Sequence, residues 1–299
     1  MSIYKILLAS TALSSTLLGL GCGGDDEACT GHGCPNAPIG LPEGGEVRLE
    51  LVQIRDDAPE VRTHAWFASG QDPDSRPWPR PPANWEIQDG DDLCVDMRSQ
   101  TIWPSGLVEN RDYYDGGENV KFVPQGGGTE IVLDRRENTQ DDAFDNYHDI
   151  VYISDISPSD VQPGVYDFVI AGGDIGPATY EGQVVMPGDL QMTFPDMQDI
   201  IYMYQDEDFR FTWDGTSDDP FAFAFVAFSD RYGPIGYCIG PNSGYMTIPK
   251  DFITSIPNGG AVTFGAINHT AAELEGTGRR IDFVGINCLQ SDYAQGAGL

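Results

Sequence analysis

The chain has 299 residues and a mass of 32.6 kDa, with 47 acidic against 16 basic residues and a formal net charge of −31. A surface that acidic, with a pI near 4.1, repels DNA, RNA and anionic lipid headgroups, so no nucleic-acid partner is expected. Hydrophobic residues at 40% can fill one large or two modest cores, whereas 36 Gly and 21 Pro are too many for a helical protein.

Residues 1–21 carry one charge, Lys5, followed by an apolar run from Ile6 to Leu20. At about 15 residues the run is short for a bilayer core, which needs about 20, and suits the hydrophobic region of a secretory signal. It ends in Leu18-Gly19-Leu20-Gly21-Cys22, which resembles a bacterial lipoprotein signal. The resemblance implies cleavage before Cys22 and acylation of that cysteine, giving a partner membrane through an N-terminal acyl anchor. Gly19 stands where such signals usually carry Leu, so an ordinary cleaved signal with an incidental cysteine is the alternative. Gly23 follows Cys22, which by analogy with Gram-negative sorting points to the outer membrane of the cell envelope. Removing residues 1–21 takes away one Lys and no acid, so 15 basic and 47 acidic residues leave a mature charge of −32.

Residues 22–45 are rich in Gly, Pro and Asp and read as a flexible tether. Cys29 and Cys34 flank His32 there. Two thiols and one imidazole fall short of the four ligands of a structural zinc, so a local disulfide is the expected reading and no metal site is assigned.

Strand signals then recur to the end of the chain. In the first block they fall near residues 46–54, 61–68, 93–98, 119–123, 129–133, 149–153, 165–171 and 178–186. Eight short strands with Gly- and Asp-rich turns predict a β-sandwich domain over residues 46–190. Pro187-Gly188 and Pro195-Asp196 punctuate the chain. A second immunoglobulin-like sandwich is predicted over residues 196–295, with strands near 199–204, 209–213, 221–228, 235–239, 244–248, 261–268 and 280–287. Phe221, Phe223, Phe225 and Phe228 mark a central strand, and Pro249 opens a helical turn with Phe252, Ser255 and Ile256 on one face. The fold class is therefore all-β: two tandem β-sandwich domains after a lipid-anchored tether. Cys238 and Cys288 fall on different strands of the second block, and a bridge between them would close a loop of about 50 residues, worth on the order of 3–4 kcal/mol. Cys94 is then either a buried thiol or a partner for a tether cysteine.

The layout resembles uncharacterised envelope lipoproteins of myxobacteria and their relatives. The residues that carry the likeness are Leu-Leu-Gly-Leu-Gly-Cys at 17–22, the Gly/Asp/Cys/Pro tether, and Ser243-Gly244-Tyr245-Met246-Thr247-Ile248-Pro249 with Ile256-Pro257. No activity comes with that resemblance.

Catalytic patterns are missing from the sequence. None of His32, His64, His148 and His269 sits in a His-Glu-x-x-His motif, and there is no Gly-x-Ser-x-Gly elbow or phosphate loop. His64, beside Trp66 and Phe67, reads as a structural histidine. The expectation is a binding or structural protein rather than an enzyme, with a carboxylate-dependent hydrolase as the remote alternative. Two constellations suggest a ligand. Arg76, Trp78, Arg80 and Trp85 lie in a proline-rich stretch that would present a stacking platform to a glycan or peptide, or else fold back onto a sandwich end. Asp206-Glu207-Asp208 and Asp214-Gly215-Thr216-Ser217-Asp218-Asp219 flank one predicted strand and make Ca²⁺ the one cofactor to weigh, against plain solvated turn acids.

Overall fold

The computed structural model describes residues 44–69, 93–96, 113–137, 150–214, 222–230 and 233–296. In chain order the strands are β1 (Gly45–Ile54), β2 (Glu60–Phe67), β3 (Leu93–Asp96), β4 (Asn119–Pro124), β5 (Ile131–Glu137), β6 (Ile150–Ile153), β7 (Gly164–Ile170) and β8 (Ala178–Met186). They continue as β9 (Gln191–Phe194), β10 (Ile201–Tyr204), β11 (Phe209–Asp214), β12 (Ala222–Asp230), β13 (Gly233–Pro241), β14 (Tyr245–Ile248), β15 (Gly260–Leu274) and β16 (Arg279–Gly296). One α-helix, α1 (Lys250–Ser255), and one 3-10 turn (Pro158–Asp160) complete the elements of the described residues. The protein is nearly all β, with its sheets packed in a sandwich-like arrangement.

Most of the strands join one sheet in the order β3-β13-β12-β15-β16-β1-β2-β6-β5-β4-β7-β8, with β10 also pairing with β16. A smaller sheet, β14-β11-β9, lies apart from it. The two predicted blocks are woven together through distant pairings. β1 runs parallel to β16, from Gly45 opposite Ile281 to Ile54 opposite Gln290. β3 pairs with β13, far along the chain.

One face of the large sheet supports two cores. Val47 and Leu49 of β1, Phe67 of β2, and Phe122 and Phe168 of β4 and β7 fill the first, where aromatic rings meet at 5.3–6.4 Å. Ala272, Leu274, Ile281 and Phe283, from the ends of β15 and β16 nearest their turn, belong to this first core. The other ends of the same two strands supply Val262, Phe264 and Tyr293 to the second core, closed by Phe211 and Trp213 of β11, Met246 of β14 and Phe252 of α1. The β15–β16 hairpin is thus common to both. A single long hairpin replaces what alternation alone presents as strands of one block.

Several local expectations change with this architecture. Phe223 and Phe225 do share a face, in a third apolar cluster with Val52, Ile267 and Ile286, but Phe228 points the opposite way into the second core. Period-two geometry requires this, since 228 differs from 225 by an odd number. Phe221 lies outside the described residues. In α1, Pro249 is the N-cap residue, and the buried face is Phe252, Ile253 and Ile256, with Ser255 exposed. The Cys238–Cys288 bridge is replaced by Cys94–Cys238, because β3 sets those two cysteines directly opposite each other, with Cα atoms 4.0 Å apart. Cys288 is a buried free thiol.

Candidate functional site

Charged residues sit where the sheet face opposite the first core is buried. Alternation along β1 sends Val47 and Leu49 into that core and Glu46, Arg48 and Glu50 to the other face, all three at most 1% exposed. Register puts Glu46 beside Trp66 of β2 and Asp282 of β16, and Arg48 beside His64. Arg48 donates to Glu46, and His64 Nε2 lies 3.1 Å from Glu46 Oε1. Between β15 and β16, His269 Nε2 is 2.8 Å from Asp282 Oδ1, which also accepts Arg280 Nε at 2.9 Å. Both described histidines are therefore engaged with carboxylates inside a row of paired acids and bases, the pairing that buried ionic groups require. Cys288 ends the row with its thiol 3.8 Å from Glu50 Oε1, and burial first, then that carboxylate, pushes the thiol well above its ordinary range.

The cleft of interest lies on the other face, at the waist where the two cores meet. Gln53, Leu289 and Phe264 form one row across β1, β16 and β15 and make its floor, with Gly265 beside them. Its wall is the crossing segment that carries the chain from β8 to β10. That crossing is pinned by specific contacts. Asn287 Nδ2 donates to Pro187 O at 3.2 Å and to Asp189 Oδ1 at 2.8 Å, and Ser291 Oγ donates to Asp199 O at 3.1 Å. Gly285 is needed for the approach, since a Cβ there would lie 2.0 Å from Val185 O. The cavity measures about 280 Å³. Asp189, Gln191, Asp196 and Gln198 stand exposed at its rim, while Leu190, Met192 and Met197 give it an apolar wall. Among the described residues no Lys, Arg or His lines it.

Of the predicted site residues, Cys22, Cys29, Cys34, Arg76, Trp78, Arg80 and Trp85 lie outside the described residues, as do His32, His148, the tether up to residue 43 and the acidic stretch from Gly215 to Asp219. Asp208 is engaged locally, its Oδ1 accepting the backbone N–H of Lys250 at 2.9 Å, at the start of α1. Among the described residues no group of three His, Cys, Asp or Glu side chains is placed to hold a metal ion. Asn268, in the Asn268-His269-Thr270 sequon, is buried.

The cleft residues are not singled out by sequence reasoning, which treats Pro187-Gly188 and Pro195-Asp196 as punctuation. A local signal is present: Asp189-Leu190-Gln191 and Asp196-Met197-Gln198 repeat an acid–apolar–amide pattern within ten residues. Gln53 and Asn287 carry no such cue, since only register brings them together.

No protein-family model and no curated protein matches the chain. Among solved structures, the crystal structure of chicken CNTN1 FN1-FN3 domains matches at 13% identity, covering 86% of this chain and 68% of that one. Its TM-score of 0.19 is too low for the likeness to carry an argument.

Proposed function

We propose that this is a cell-envelope lipoprotein that works by binding, anchored through an acylated Cys22 and probing its surroundings with the waist cleft. The cleft carries the reading. It is a concave, polar-rimmed site built on a strand pair that both cores hold, and small-molecule sites favour such junctions. The commitment of His64 and His269 to buried carboxylates favours binding over acid–base catalysis at those residues.

The anchor and the cleft are tested separately. Membrane fractionation should find the wild-type chain with membranes and Cys22→Ala released; retention of Cys22→Ala would contradict the anchor. For the cleft, a thermal-shift screen compares the wild-type chain with Gln198→Trp, which fills the cavity from its exposed rim. Compounds that stabilise the wild type should lose their effect in the variant. Equal stabilisation of both proteins would move the binding site elsewhere.

A further inference from the structure

We infer that the ligand of the waist cleft is an uncharged, hydroxyl-rich molecule, a saccharide of one or two rings; the inference rests on the cleft being the binding locus. Its volume of about 280 Å³ lies just below the range for drug-sized ligand clefts, roughly 300–1,000 Å³, and so suits a small ligand. Charge narrows the chemistry. With two carboxylates and no cation among the described residues of its lining, the cleft repels phosphates and carboxylates.

The carboxylates are partly spent within the protein. Asp189 Oδ1 accepts from Asn287 Nδ2 at 2.8 Å, and Asp196 Oδ1 accepts the Gln198 backbone N–H at 2.9 Å. The amide side chains are not: Gln53, Gln191 and Gln198 make no side-chain hydrogen bond to another described residue. Each amide offers two donors and an acceptor, so three of them around one cavity suit a ligand whose groups donate and accept at close spacing. Sugar hydroxyls do this without charge. Met192 and Leu289, both half-buried, give the C–H face of a ring an apolar surface, and the flexible thioether adapts to its shape.

Methyl-labelled methionine in the full chain provides the probe, because Met192 and Met197 line the cleft. Glucose, galactose, N-acetylglucosamine and their disaccharides are titrated in turn, then spermidine, Ca²⁺ and inorganic phosphate. At least one saccharide should move both methyl signals saturably, with little change between low and high salt. Gln191→Ala/Gln198→Ala, altered only at exposed positions, should bind it about ten-fold more weakly, the loss expected for removing rim hydrogen bonds. Saccharide binding unaltered in that variant would overturn the inference. Signals moved by spermidine or Ca²⁺ alone, and reversed by salt, would overturn the saccharide while leaving the cleft as the binding locus. If no probe moves either methyl, both readings fail.

Discussion

Tyr152 is fully buried against Phe67, and its hydroxyl organises the Asp115–Gly117 turn. It accepts the Gly116 N–H at 2.7 Å and lies within hydrogen-bonding distance of Asp115 Oδ1 at 3.1 Å and Gly117 O at 3.0 Å. Burial, with Asp115 adding to it and the Gly116 N–H opposing, raises its pKa above the ordinary tyrosine range. Tyr166 and Tyr180 shift the same way, again chiefly through burial. A folded state that keeps protons the unfolded chain releases loses stability as pH rises past the unfolded tyrosine value of about 10. Melting temperature should therefore fall steeply above about pH 10. Tyr152→Phe should show a shallower fall, together with a loss of about 1–3 kcal/mol at neutral pH from the unpaired Gly116 N–H. A wild-type profile that stays flat through that range would contradict the assignment.

At the scale of elements, β3 is a four-residue strand paired with β13 and bonded to it through Cys94–Cys238, across 144 residues of sequence. The chain-entropy view gives such a closure about 5 kcal/mol, so Cys94→Ala/Cys238→Ala should lower the denaturation midpoint markedly. If the midpoints of the variant and the wild type coincide, the bridge does not constrain the unfolded chain. The approach of β8 to the hairpin gives a second test. Gly285→Ala would press a methyl into Val185 O and should cost about 1–3 kcal/mol or more, whereas Gly126→Ala, with open space around its Cβ, should change little. Equal effects at the two positions would refute the packing described.

How much of this the sequence reveals depends on the kind of element. β8 over residues 178–186 is found at its full length, and most other strands within a few residues, because turn residues bound them and one face is usually solvated. β15 and β16 are read as 261–268 and 280–287, yet they run to 15 and 18 residues. Both faces of this hairpin are buried over much of its length, which erases alternation, and Asn268-His269-Thr270 resembles the end of a strand. Strand β9, inside the crossing, is too short to stand out between its prolines. Cysteine connectivity and the parallel β1–β16 register are long-range choices that local spacing does not encode. The same holds for the cleft, whose floor joins Gln53 to residues more than 200 positions away.

For the whole molecule, the formal charge of −31 acts as a self-repulsion that salt can screen. Raising ionic strength at neutral pH should increase the melting temperature, and a salt-independent value would show the acids to be dispersed too widely to repel. Under the proposed Cys22 anchor, the same acidity would hold the folded part clear of an anionic membrane. The deeper property is the shared hairpin. Ala272, Leu274, Ile281 and Phe283 belong with the first core and Val262, Phe264, Ala266 and Tyr293 with the second, so neither core is complete without the same two strands, and the waist cleft exists only while both are folded. Scanning calorimetry of the full chain tests this most directly. One cooperative transition is expected, in which calorimetric and van't Hoff enthalpies agree. Two separable transitions, one for each core, would contradict it.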